Sequence, residues 1–101
     1  MAASGGDDGV VRLFDLKSKE SRLLRGHKGA VRSVAFAAHG KRLLSAGVDG
    51  TVRLWDVATG GEVYRFTGHR GTVHGVVCTA DGRRAVSCGQ DGTVRLWELP
   101  R

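Results

Sequence analysis

Apolar positions along this chain gather into short runs separated by turn-forming residues. The segments VRSVAFA (31–37), KRLLSAG (41–47), TVRLWDV (51–57) and GEVYRFT (61–67) are rich in Val, Leu, Phe and Trp, and the punctuation between them is AAHGK, VDG, ATGG and TGHRG. Such runs predict β-strands. The connections are too short for a helix, so consecutive strands are expected to pair as antiparallel hairpins. Several runs are apolar on both faces: Val52 and Leu54 point one way along their strand and Trp55 the other. A small sheet of that kind needs a neighbour on each side.

The pattern then repeats. SAGVDGTVRLWDV (45–57) returns as SCGQDGTVRLWEL (87–99), and a looser copy, SGGDDGVVRLFDL (4–16), opens the chain. The Asp-Gly pairs at 8–9, 49–50 and 91–92 stand 41 and then 42 residues apart. A fixed period of this length marks a repeat architecture in which each period is one supersecondary unit. One period reads as a four-stranded antiparallel meander, and the next begins again with VHGVVCT, RRAVSCG and TVRLWEL. Stacking such meanders around a ring gives each sheet its two neighbours.

Composition changes this picture little. The chain has 101 residues, 16 of them glycine, mostly in turns, with no low-complexity tract or long charge block. The net charge of +6 raises the question of nucleic acid. The basic residues are scattered, however, and several recur at equivalent positions (Arg12, Arg53, Arg95), which reads as a solvated basic surface. The six aromatics (Phe14, Phe36, Trp55, Tyr64, Phe66, Trp97) lie in strand-like runs and are expected to be packed rather than displayed as stacking platforms. Nucleic acid is therefore disfavoured as the main partner. No apolar run approaches the ~20 residues of a membrane span, and no secretory signal is visible. Cys78 and Cys88 occupy the repeat positions of Phe36 and Ala46, and read as small apolar core residues kept as thiols in a reducing, cytoplasmic setting.

Gly26-His27, Asp49-Gly50 and Trp55-Asp56, then Gly68-His69, Asp91-Gly92 and Trp97-Glu98, resemble the WD-repeat β-propeller family. The resemblance covers essentially the whole chain. Phe14 stands where Trp is expected in the first copy, Glu98 replaces Asp in the last, and the first copy lacks its Gly-His. The implied fold is all-β: a partial WD-repeat β-propeller of consecutive four-stranded antiparallel blades, about ten strands in all. Its units would be an incomplete first blade (1–25), a complete blade (26–67) and an incomplete last blade (68–101). Closed propellers have about 4–8 blades, so an arc of two and a half or so leaves two apolar faces in water. The expectation is a fragment of a larger propeller, closed by further blades in cis. The competing expectation is self-association of copies to complete the ring.

Each full repeat carries His, Ser, Asp and Trp: His27, Ser45, Asp49, Trp55 and His69, Ser87, Asp91, Trp97. A Ser-His-Asp set invites comparison with acyl transfer, but a catalytic triad is needed once per site, whereas this set recurs with the fold period. The resemblance implies a structural network instead, in which the turn Asp accepts from His, and His continues through the Ser hydroxyl to the indole N–H. His69 and His74 lack the spacing and partners of a zinc site, and GHRGTVHG (68–75) lacks the Lys-Ser/Thr of a phosphate loop. No cofactor, metal or catalytic residue is expected.

The resemblance also implies where partners dock: the turn after Gly-His and the residue before the turn Asp. Those positions are Lys28, Ala30, Arg32 and Val48 in the middle repeat, Arg70, Thr72, His74 and Gln90 in the next, and Asp7 in the first. The patch is mainly cationic, which suits an acidic or phosphorylated protein segment. The expected function is thus a non-catalytic protein–protein interaction scaffold. The alternatives are a regulatory or sensory repeat region of a larger multidomain enzyme, such as a protein kinase, and a basic nucleic-acid-binding module.

Overall fold

The same turn is built three times. At 6–9, 47–50 and 89–92 the glycine that ends the turn donates its N–H to the carbonyl three residues back, at 3.1, 3.2 and 3.1 Å. The aspartate before it accepts the N–H that opens the next strand: Asp8 from Val10, Asp49 from Thr51 and Asp91 from Thr93. Glycine is required there for two reasons. Its φ is +80°, +80° and +77° at Gly9, Gly50 and Gly92, where a Cβ is strained. A Cβ on Gly9 would also lie 2.7 Å from the carbonyl oxygen of His27, so the side chain's absence lets one sheet's turn close on the loop entering the next.

The computed structural model describes residues 1–100; Arg101, the last residue of the third predicted unit, lies outside them. Ten strands follow in order: β1 (Ala2–Gly5), β2 (Val10–Phe14), β3 (Ser21–Arg25), β4 (Val31–Ala37), β5 (Arg42–Gly47), β6 (Thr51–Asp56), β7 (Glu62–Thr67), β8 (Val73–Cys78), β9 (Arg84–Gly89) and β10 (Val94–Glu98). They form three antiparallel meanders, β1-β2-β3, β4-β5-β6-β7 and β8-β9-β10. Within each sheet consecutive strands are joined as hairpins, the one between β4 and β5 through a 3-10 turn, Ala38–Gly40, while β3 to β4 and β7 to β8 pass from one sheet to the next. Register bulges recur at equivalent places, between Val31 and Ser33 and between Val73 and Gly75. This is an all-β arc of a propeller.

Both faces of the middle sheet are covered. Leu43 and Trp55, with Val31, pack on Val11, Leu13 and Leu24 of the first sheet. On the other face Leu44, Ala46, Val52, Leu54 and Phe66 pack on Val73, Val76 and Ala85 of the third. The strong alternation of β6 thus supplies two cores, one on each side. Hydrogen bonds tie the sheets as well: Val31 N–H donates to the Gly6 carbonyl (3.0 Å), and Val76 N–H to the Ser33 hydroxyl (3.2 Å).

Three expectations need correction. Phe14, Phe36 and Tyr64 are exposed rather than packed. Each faces a place where no described strand stands opposite: Phe14 on the outer face of the first sheet, Phe36 on β4 where that sheet has no matching inner strand, and Tyr64 on β7 beside the three-stranded third sheet. Cys88 is not a core residue but exposed, and Cys78 is half-buried. Ala46, the counterpart of Cys88, is fully buried, because the third sheet covers it and no described sheet covers Cys88. Nor are the repeated arginines equivalent members of a solvated surface: Arg53 is buried at 3% exposure.

Candidate functional site

Beneath each Asp-Gly turn lies a chain of polar side chains. In the middle sheet Ser45 on β5 and Trp55 on β6 share a face, which places the Trp55 indole N–H 2.7 Å from Ser45 Oγ. The loop leaving β3 carries His27 over them, with Nε2 2.6 Å from the same Oγ and Nδ1 3.2 Å from the Asp49 carboxylate. Donor logic assigns the protons. The indole can only donate, so Ser45 accepts from it. Burial favours the neutral ring of His27; with its one N–H on Nδ1, directed at the Asp49 carboxylate, Nε2 accepts the Ser45 hydrogen.

The third sheet repeats the arrangement. His69 Nε2 lies 2.7 Å from Ser87 Oγ and Nδ1 3.2 Å from Asp91, while Trp97 Nε1–H donates to Ser87 at 2.8 Å. His74 is exposed on the rim while both ring nitrogens of His69 are engaged, so these two histidines are not brought together. The Ser–His–Asp geometry matches that of an acyl-transfer triad, but Ser45 is 0% and Ser87 1% exposed, and each hydroxyl already serves an indole. No substrate carbonyl can approach either oxygen.

The charge states follow from these contacts. Burial opposes ionisation of Asp49, but the Lys28 N–H, the hydroxyl and N–H of Thr51, and His27 outweigh it and bring its pKa to about 2. The Arg70 N–H, the Thr93 hydroxyl and N–H, and His69 hold Asp91 well below the usual carboxylate range. Burial pushes His27 below its ordinary value of 6.5, and the Asp49 carboxylate offsets this only in part. A group whose folded pKa is depressed contributes stability that is present above its unfolded pKa and lost as pH falls. Urea midpoints should accordingly fall once pH drops below about 6.5, from His27, and fall again below about 3.8, as Asp49 and Asp91 take protons. His27→Gln should flatten the first decline and leave the second. A first decline of equal slope in both proteins would show that His27 is not its source.

The middle network has a member that the sequence pattern did not single out. Arg53 reaches Thr51 Oγ1 through Nε (3.2 Å), Glu62 through Nη1 (2.9 Å) and Asp49 through Nη2 (3.2 Å). The available signal was the spacing Asp49–Arg53, which puts both groups at one end of β6, together with an acidic residue at 62 on the adjacent strand.

Above the networks the same hydrogen bonds organise a rim. Asp49 accepts the Lys28 N–H at 3.1 Å and Asp91 the Arg70 N–H at 2.9 Å, so each entry loop is pinned to the turn of its own sheet. Val48 N–H donates to the Ala30 carbonyl (3.0 Å) and Gln90 N–H to that of Thr72 (2.8 Å). Gly50 packs against the carbonyls of His69 and Gly71, joining the middle turn to the third sheet's loop. Lys28, Arg32, Arg70, His74, Gln90 and Asp7 are exposed along this rim, with Ala30, Val48 and Thr72 half-buried between them. The Asp49 and Asp91 carboxylates below are consumed by internal bonds, so the rim presents cations over the second and third sheets, and the Asp7 carboxylate over the first.

Hydrogen-bonded turn, buried indole and stacked four-stranded unit define a blade of a repeat propeller. The chain belongs to the WD40 family, described as WD domain, G-beta repeat, whose profile matches residues 18–56 and 60–98. Each match starts just before the outermost strand of one sheet (β3, β7) and ends with the third strand of the next (β6, β10), so every repeat straddles two sheets. Among similar proteins, the U5 small nuclear ribonucleoprotein 40 kDa protein of Dictyostelium discoideum is 42% identical over 57 residues, 56% of this chain and 16% of that protein. The guanine nucleotide-binding protein subunit beta of Oryza sativa subsp. indica is 42% identical over 65 residues, 62% of this chain and 17% of its own length. Ribosome biogenesis protein YTM1 of Eremothecium gossypii is 50% identical over 52 residues, 52% of this chain and 12% of its own length. The chain thus spans less than a fifth of these relatives.

Proposed function

We propose that the chain is a protein-interaction scaffold without catalysis of its own, part of a larger propeller, and that its cationic rim receives an acidic or phosphorylated protein segment. The observation that carries this reading is the division of charge at the rim. Lys28, Arg32 and Arg70 are exposed there, while Asp49 and Asp91 directly beneath are spent on loop N–H groups and histidines. An incoming carboxylate or phosphate meets cations that pair with no acid among the described residues. The similar proteins, which include a ribonucleoprotein component and a G-protein subunit, support a role in assemblies. A cytoplasmic setting belongs to the same proposal.

The test uses an oligo-glutamate peptide and a phosphoserine peptide of equal length as probes, with the variant Lys28→Glu/Arg32→Glu/Arg70→Glu. Affinity should fall roughly tenfold or more in the variant, mainly through slower association. Because the three side chains are exposed, thermal unfolding should shift little. Undiminished binding by the variant would remove the rim from consideration.

A further inference from the structure

The rim changes sign along the arc, in an order fixed by contacts between sheets. The turn of one sheet abuts the entry loop of the next: Gly9 lies beside the carbonyls of His27 and Gly29, and Gly50 beside those of His69 and Gly71. The Val31 N–H closes the first of these seams on the Gly6 carbonyl at 3.0 Å. Along the arc, Asp7 of the first turn therefore precedes the segment carrying Lys28 and Arg32. Val48 of the middle turn follows, then the loop of Arg70, and Gln90 of the third turn comes last.

Asp7, Val48 and Gln90 hold one repeat position, the residue before the turn aspartate. The aspartate after each is engaged within its own sheet and loop: Asp8 by the Val10 N–H and Arg12, Asp49 and Asp91 by loop N–H groups and histidines. Asp7 differs. Its carboxylate is exposed and pairs with no side chain among the described residues, and the same holds for the side chains of Lys28, Arg32 and Arg70. The turn does not need an acid there, since Val48 and Gln90 serve in the same place. Available charges of both signs thus share one surface, the acid over the first sheet and the cations over the second and third.

We propose that the rim's occupant is an extended polypeptide segment of mixed charge, with a basic residue over the first sheet and acidic residues over the second and third. This refinement rests on the rim being the docking surface. Stacked sheets stand ~10 Å apart, which an extended chain covers in about three residues. The matching pattern is base, acid, acid at intervals of about three, with small apolar residues between them over half-buried Ala30 and Val48. Asp7 sets the register and disfavours a wholly acidic segment, because a carboxylate over the first sheet would meet a like charge.

The probes are two capped peptides, KGVEVGE and QGVEVGE, titrated into the whole chain at low ionic strength, where exposed pairs are least screened. The lysine peptide should bind roughly two- to fivefold tighter than the glutamine peptide, the range of a solvent-exposed ion pair. Asp7→Lys should reverse the order. Equal affinity of the unaltered chain for the two peptides, or an unchanged preference in Asp7→Lys, would overturn the mixed-charge occupant. If both peptides were in that case still lost from Lys28→Glu/Arg32→Glu/Arg70→Glu, the rim itself would stand as the docking surface. Undiminished binding of both peptides to the triple variant, or no binding to the unaltered chain, would remove the rim and this proposal with it.

Discussion

Asp49→Ala is expected to lower the stability of the chain by about 3–5 kcal/mol, and Asp91→Ala by no more than roughly 1–3 kcal/mol. Asp49 accepts from His27, the Lys28 N–H, the N–H and hydroxyl of Thr51, and Arg53. Deleting it strands a buried neutral histidine and removes one of the two carboxylates around a guanidinium that is 3% exposed. Breaking a buried ion pair from one side costs about 3–5 kcal/mol, against a total stability of about 5–15 kcal/mol for an ordinary domain. Asp91 accepts the corresponding bonds from His69, the Arg70 N–H and Thr93, but among the described residues no arginine side chain pairs with it. Its loss is a matter of unsatisfied polar groups, roughly 1–3 kcal/mol. Urea titrations followed by tryptophan fluorescence would rank the two. Coincident midpoints would show that the Arg53 pairing contributes nothing beyond the shared part of the network.

Leu54→Ala and Leu96→Ala should differ even more visibly, although the two leucines sit in the same pentapeptide. Leu54 is 0% exposed and packed against the third sheet. Truncating it removes buried methyl groups and leaves a cavity, at a cost of about 2–5 kcal/mol. Leu96 is 59% exposed, in one row with Val77 and Val86, and next to Val94 and Cys88. Truncation there should cost no more than about 0.5 kcal/mol and should reduce self-association, because this face is the counterpart of one that is buried in the middle sheet. Sedimentation velocity on Leu96→Ala and Leu96→Glu, with denaturation curves for both leucine variants, separates the effects. A loss of stability at Leu96 comparable to that at Leu54 would mean that the third sheet's outer face is covered in solution.

Much of the architecture was legible because it is encoded locally. The Asp-Gly pairs set the turns, since the glycine alone tolerates φ near +80° while the aspartate caps the following strand. Alternation in segments such as 51–57 set the strands, and the period of 41–42 residues implied that whatever one unit does its neighbours do too. The His–Ser–Asp–Trp positions were legible for the same reason, recurring where four strands bring them within hydrogen-bond reach. The rim positions came from the family resemblance; the hydrogen bonds that pin each entry loop to the turn of its own sheet, and the packing of Gly50 against the next sheet's loop, belong to the tertiary structure.

What the periodic sequence could not reveal is how far the repeats differ. Arg12, Arg53 and Arg95 occupy one repeat position and meet three environments: an exposed pair with Asp8 at 2.7 Å, a buried network with Asp49 and Glu62, and a buried Nε with no hydrogen-bond partner among the described residues. Phe14, Phe36 and Tyr64 look like core residues and are exposed, and Cys88 is bare where Ala46 is sealed. By itself, then, the sequence determined strand, turn and unit, because backbone conformation and side-chain alternation depend on residues a few positions apart. Burial, ionisation and availability to a partner were decided by the tertiary structure. They depend on which sheet stands opposite, and the same TVRLW is sealed on both faces in the middle of the arc and half open at its end.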